Sequence, residues 1–186
     1  MKQGFITKVN AGLYRVFSEG HYYDCRARGK FRFEEMVPTC GDYVEFDENE
    51  RYLLNILPRK NKFVRPPIVN LDQIVIVSSL VKPQISLTLI NRFVTLAEIG
   101  NMKPMIVLTK VDLVEDRAQY AEIFHLFEHL QYDVHVVSSK TGEGLELLRQ
   151  RLENVKSVFT GQSGVGKSSL LNHLIPKLNQ KTGDIS

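Results

Sequence analysis

Gly161-Gln162-Ser163-Gly164-Val165-Gly166-Lys167-Ser168 is the stretch that decides the fold. It has the pattern G-x-x-x-x-G-K-[ST], a loop whose backbone N–H groups cradle phosphates. The pattern carries weight only between a strand and a helix, and this sequence supplies both. Val155–Thr160 is a β-branched run, and the residues from Lys167 to Ile175 have helical spacing. Glycines let the loop wrap an anion, and the helix N-terminus adds positive potential. In that context Lys167 reaches the β- and γ-phosphates and the Ser168 hydroxyl is the Mg²⁺ ligand, with Ser169 beside it. Both residues position phosphate and metal; the sequence names no residue that activates water.

Upstream of this loop, strands and helices alternate. Asp72–Leu80 is a buried strand of Ile and Val. Ser86 N-caps a helix to Ile99, with Gly100 as its stop. Pro104–Thr109 is a strand, Asp116 to about Gln131 a helix, Val134–Ser138 a strand and Gly144–Asn154 a helix. The order implies a parallel sheet with helices packed on it. Ligands of such sheets sit at the carboxyl ends of the strands.

Two further motifs fall at strand ends. In Thr109-Lys110-Val111-Asp112, the Asp112 carboxylate accepts two hydrogen bonds at once and so matches guanine N1–H and N2–H₂. Adenine lacks that donor pair and would leave the carboxylate unpaired. The Lys110 stem covers the base. Ser138-Ser139-Lys140 is placed to contact the guanine O6 through backbone N–H. An adenine-specific P-loop protein is the minor alternative. The order of the pieces is unusual: an ordinary GTPase has its P-loop first, whereas here both base-reading motifs precede Gly161–Ser168. That is a circular permutation, which costs little where chain termini lie close together.

The remaining N-terminal part differs in composition. The chain has 186 residues, 24 Lys and Arg against 21 Asp and Glu, and a net charge of +3. All of that excess lies before Leu71, where 12 cations meet 9 anions; 11 of the 17 Phe and Tyr also lie at or before Phe63. Phe5–Val9, Leu13–Ser18, Tyr22–Ala27, Tyr43–Asp47 and Tyr52–Leu57 are strand-sized runs separated by turn residues. Five short strands suggest an OB-type barrel, a fold that often binds oligonucleotides; an SH3-like barrel has a similar pattern. Arg26, Arg28, Lys30 and Arg32 alternate with Ala27, Gly29, Phe31 and Phe33. In an extended segment, four cations would share one face, a row suited to an RNA backbone. The competing reading is a solvated loop whose phenylalanines plug the barrel. The basic stretch from Arg59 to Pro67 looks like a linker, so residues 1–62 are assigned to the barrel and 63–186 to the nucleotide domain.

Hydrophobic residues make up 43% and charged residues 24%, which excludes a disordered chain. No apolar run approaches the ~20 residues of a membrane helix, and Met1–Phe5 opens no signal region. The expectation is a cytoplasmic protein without a membrane partner. Cys25 and Cys40 have no metal spacing and read as small buried hydrophobes. His125-Leu126-Phe127-Glu128-His129 fits a zinc-protease pattern. Tyr120, Ile123, Phe124, Phe127 and Leu130 form the apolar stripe of the same helix, which leaves both histidines on the solvated face.

Taken together, these motifs closely resemble the RsgA (YjeQ) family of ribosome small-subunit-dependent, circularly permuted GTPases. The resemblance runs through Arg26-Ala27-Arg28-Gly29, Gly41-Asp42, Arg65-Pro66-Pro67, Thr109–Asp112, the loop from Gly161 through Ser169 to Asn172, and Thr182-Gly183-Asp184-Ile185-Ser186. It implies an OB domain on ribosomal RNA, GTP/GDP with Mg²⁺, and GTP hydrolysis stimulated by the small subunit during its late maturation. It also implies a monomer. Thr109 stands where most GTPases carry asparagine, and Gly164 where potassium-activated ones do. The family's Asp-x-x-Gly motif and its Cys/His zinc ligands are expected after Ser186, so 186 residues reads as a truncation point and turnover is assigned to the longer protein. The alternative is an RNA-binding module fused to a non-hydrolysing nucleotide fold.

Overall fold

The structure is a computed structural model that describes residues 1–27, 31, 36–64, 66–116 and 118–175. The chain divides into two compact units, Met1–Leu71 and Asp72–Ser186.

In the first unit, β1 (Lys2–Asn10), β2 (Leu13–Ser18), β3 (His21–Ala27), β4 (Tyr43–Asp47) and β5 (Tyr52–Ile56) close a barrel in the order β1-β2-β3-β5-β4. Closure comes from the antiparallel pair β1–β4 and the parallel pair β3–β5, the five-stranded Greek-key arrangement of an OB barrel. Period-two alternation fills the interior with Ile6, Val16, Cys25, Val44, Phe46 and Leu53. Phe31 is 5% exposed and belongs to the same core. Burial pushes the Cys25 thiol up to about 11, as suits an inert core residue. Cys40 is only half-buried, its Sγ 3.3 Å from the Thr7 carbonyl.

The stretch read as a linker is paired. β6 (Lys62–Phe63) and β7 (Ile68–Val69) form a two-stranded ribbon with Pro66 and Pro67 in the connection between them. Arg59 is not a solvated linker cation either. Its Nε and Nη2 each lie 2.7 Å from an Asp42 carboxylate oxygen, and Nη2 also donates to the Val37 carbonyl at 2.8 Å. The fully buried Asp42 accepts a further bond from the Thr39 amide, and the pairing raises the Arg59 pKa further. Gly41 is required beside it: φ is +93°, and a Cβ would stand 2.1 Å from the Val69 carbonyl oxygen.

The second unit holds a parallel sheet in the order β10-β9-β8-β11, from β8 (Gln73–Ser79), β9 (Lys103–Thr109), β10 (Asp133–Val137) and β11 (Ser157–Thr160). All seven residues of β8 are buried, as expected for a central parallel strand. The helices are α1 (Leu87–Ile99), α2 (Ala118–His129), α3 (Leu145–Leu152) and α4 (Lys167–Leu174). Ser86 caps α1 by accepting from the Leu89 amide. Of the α2 stripe, Phe127 is buried, but Leu130 lies past the helix end and is 53% exposed. His125 is exposed and hydrogen-bonds Glu128 at 3.3 Å.

Candidate functional site

Three loops leave the carboxyl ends of parallel strands β11, β9 and β10. The loop after β11 is shaped by glycine. Gly161, Gly164 and Gly166 have φ of +144°, +77° and +95°. A Cβ on Gly161 would stand 2.1 Å from the Val77 carbonyl oxygen, so no other residue fits there. Val165 anchors the loop in the core beside Val77 and Leu170. Gly166 begins α4, which places Lys167, Ser168 and Ser169 in its first turn. Lys167 folds back over the loop, its Nζ donating to the carbonyls of Gly161 (2.8 Å) and Gln162. Burial lowers its pKa. Neutral loop carbonyls thus hold this ammonium, among the described residues, at the start of α4.

The loop after β9 is tied to this one. Thr109 is 2% exposed, and its Oγ1 lies 2.5 Å from the Val165 carbonyl oxygen and 3.2 Å from that of Ser78. A hydroxyl has one hydrogen to donate, and the shorter contact takes it. The threonine that replaces the usual asparagine therefore still bonds to the phosphate loop. Lys110 follows in the left-handed conformation at φ +64°. Val111 is buried, and Asp112 lies in the short 3-10 turn Val111–Leu113 with its carboxylate partly open.

The loop after β10 holds that carboxylate. Ser138 is fully buried and its Oγ donates to Asp112 Oδ1 at 2.6 Å. The same Oγ accepts from the amides of Lys140 and Thr141, each at 3.1 Å. Two incoming donors leave its hydrogen one direction, toward Asp112. The Ser138 amide is spent on the Glu143 carbonyl, as is that of Lys140 on Ser138, so the Ser139 amide is the donor of this tripeptide not engaged in these bonds. The Lys140 side chain is exposed. Gly144, at φ +72°, closes the loop where a Cβ would meet the Val136 carbonyl at 2.2 Å.

Two contributors escaped the motif reading. The Lys82 carbonyl accepts from Lys110 Nζ and from Ser79 Oγ (3.0 Å), so the β8–α1 connection holds the Lys110 side chain. The available signal was Ser78-Ser79, a polar pair ending an apolar run. The second is the Ser138 side chain, which acts through its hydroxyl rather than its amide. In the barrel, Arg26 is exposed on β3; Arg28, Lys30 and Arg32 lie outside the described residues. Among the described residues no group of three or more His, Cys, Asp or Glu gathers as a metal site.

A glycine-built phosphate loop, tied by a threonine to an aspartate-bearing loop that precedes it in the chain, defines a circularly permuted P-loop GTPase domain. The domain follows a five-stranded OB-type barrel. The family model described as RsgA GTPase matches residues 56–186, and that described as RsgA N-terminal domain matches residues 3–52. The chain belongs to the RsgA family. It is 46% identical over 191 residues to the small ribosomal subunit biogenesis GTPase RsgA of Geobacillus sp. (strain WCH70), covering 100% of this chain and 65% of that relative. The protein of the same name from Caldanaerobacter subterraneus is 41% identical, with 99% and 63% covered. The chain thus spans about 65% of the length of the relatives it matches. Among solved structures, YjeQ from Thermotoga maritima superposes with a TM-score of 0.86 at 34% identity, over 98% of this chain and 68% of that one. YloQ, described as a circularly permuted GTPase, gives 0.80 at 39% identity, over 96% and 66%.

Proposed function

We propose that this chain binds GTP and GDP with Mg²⁺, and that the complete protein hydrolyses GTP on the small ribosomal subunit during its late maturation. The observation that supports this most directly is the 2.6 Å bond from Ser138 to Asp112. A carboxylate aimed by a buried hydroxyl and kept partly open to solvent is arranged to accept from a ligand. Each carboxylate oxygen has two acceptor sites, so Oδ1 takes the serine proton and still receives one guanine donor while Oδ2 receives the other. The Ser139 amide then serves O6, and the Lys110 stem lies over the ring.

At the other end, Lys167 exchanges the Gly161 and Gln162 carbonyls for β- and γ-phosphate oxygens, a gain because both partners are charged. The amides from Gln162 to Ser169 line the phosphates. The loop fits a nucleotide-bound Mg²⁺: Ser168, which opens the helix beside Lys167, would hold it together with phosphate and water oxygens, without a protein cage. Held there, Mg²⁺ would supply neutralisation of the charge that develops on the β- and γ-oxygens. Thr109 keeps the two halves in register.

In the barrel, Arg26, Arg28, Lys30 and Arg32 are proposed to contact ribosomal RNA, in a cytoplasmic, monomeric protein. No helix among the described residues is long and apolar enough to cross a membrane. Titrating the chain with fluorescent GDP and with ADP tests the nucleotide assignment. Strong preference for GDP is the expected result, and equal affinity overturns the role of Asp112.

A further inference from the structure

One outer wall of the barrel carries a row of aromatic rings. Tyr43 of β4 pairs with Phe5 of β1, Phe5 with Phe17 of β2, and Phe17 with Tyr22 of β3. All four residues occupy outward positions, alternating with the inward Val44, Ile6, Val16 and the partly buried Tyr23. Ring centroids are 6.2, 5.7 and 5.0 Å apart along the row, at interplanar angles of 62°, 61° and 54°. The first two pairs meet edge to face and the third is tilted, so the row is corrugated. Tyr22 is 63% exposed and Tyr43 is 43% exposed. Cross-strand aromatic pairs stabilise a sheet, but stability alone does not call for such exposure at both ends.

Charge beside the row is one-sided. Toward the β1–β2 turn, exposed Lys8 pairs in register with Arg15, Arg15 with Asp24, and Arg26 lies two residues beyond Asp24 on the same face. Three cations meet one anion there, Arg15 and Asp24 being bound at 2.8 Å. On the other side, Gln3 pairs with Glu45, whose carboxylate accepts from Gln3 and Asn55. A negatively charged strand is drawn to the first side and repelled from the second.

We propose that this row is a base-stacking platform for unpaired nucleotides of RNA, with the phosphate backbone running along Lys8, Arg15 and Arg26. Stacking on aromatic rings beside a cationic track is the physics of single-strand binding, and the duplex interior offers no such free base faces. The inference rests on the reading of the barrel as an RNA-binding domain.

The test is fluorescence anisotropy of a labelled oligouridine of about ten nucleotides, titrated with the 186-residue chain. The double variant Tyr22→Leu/Tyr43→Leu is expected to bind at least about 10-fold more weakly, with the salt dependence unchanged. Tyr22→Phe/Tyr43→Phe keeps the rings and is expected to bind like the parent. Thermal unfolding followed by circular dichroism checks that each variant is folded. If leucine is unfolded, Tyr22→Ser alone with the phenylalanine pair decides the matter. Parent-like binding by the leucine variant overturns the platform while leaving RNA binding by the barrel intact. If the parent itself does not bind RNA, the RNA reading falls with it. Loss of small-subunit binding with unchanged oligouridine affinity would assign the wall to a protein contact and overturn the stacking proposal.

Discussion

At the scale of single residues, the account turns on hydroxyls that occupy fixed directions. Thr109 gives its proton to the Val165 carbonyl at 2.5 Å inside a dry environment. Thr109→Val keeps the shape and removes the proton, leaving a buried carbonyl short of a partner at a cost of about 1–3 kcal/mol. GDP affinity measured by titration is expected to fall, and Thr109→Ser to restore most of it. Lys167 is the other decisive residue. Its ammonium sits among loop carbonyls with its pKa lowered by burial, and a phosphate group is the partner the proposed function assigns to it. Lys167→Ala is expected to reduce GDP affinity by at least about 100-fold in the same titration. Unchanged binding would contradict the loop's assignment. That Thr109, Lys167 and Asp112 gather at strand ends was legible because each motif follows a β-branched run. Ser138's hydroxyl was not: its work depends on amides from Lys140 and Thr141 that only the folded turn brings to it.

At the scale of elements, periodicity places the strands and helices to within two residues, because one face or both must be apolar, except that β1 starts at Lys2, three residues before the expected Phe5. The ribbon β6–β7 was missed because prolines and a basic run usually mark a linker, whereas here Pro66 and Pro67 sit in the connection and the flanking residues pair. Arg59 was missed for a related reason, since nothing local announces that Asp42, 17 residues earlier, is buried and needs it. Removing one partner of a buried ion pair leaves an uncompensated charge. Asp42→Ala, which strands the Arg59 guanidinium and the Thr39 amide, is expected to destabilise the barrel by about 3–5 kcal/mol in chemical denaturation. Edge strand β10 adds a pH effect. His135 is 5% exposed, and its Nε2 is 3.0 Å from Asp133 Oδ1 yet out of line for a hydrogen bond. Desolvation lowers its pKa, against the opposing pull of Asp133. The unfolded state therefore binds more protons than the folded one over the window from the lowered folded value up to about 6.5. Stability is expected to rise with pH across that window and level off above it. His135→Gln should flatten the profile in urea melts, and an unaltered profile would remove His135 as its source.

At the scale of the whole molecule, the two units differ in charge and in motif content. The excess positive charge of the chain lies before Leu71, while the nucleotide loops all lie after it. Neutralising Arg26, Arg28, Lys30 and Arg32 is expected to weaken binding to small subunits. It should also reduce the log–log salt slope by roughly 3, the value for four phosphate contacts to a single strand. An unchanged slope would return that segment to a solvated loop. The permuted order of the nucleotide unit leaves its geometry intact because the sheet, not the chain order, brings the loops of β9, β10 and β11 together. The claim on which the rest depends is that Asp112 reads guanine. Asp112→Asn exchanges one acceptor oxygen for a donor, which suits xanthine, whose C2 carbonyl replaces the guanine amino group. Competition titration of the variant with GDP and XDP is the direct measurement: the account predicts that preference inverts toward XDP, and a variant that still prefers GDP would contradict it.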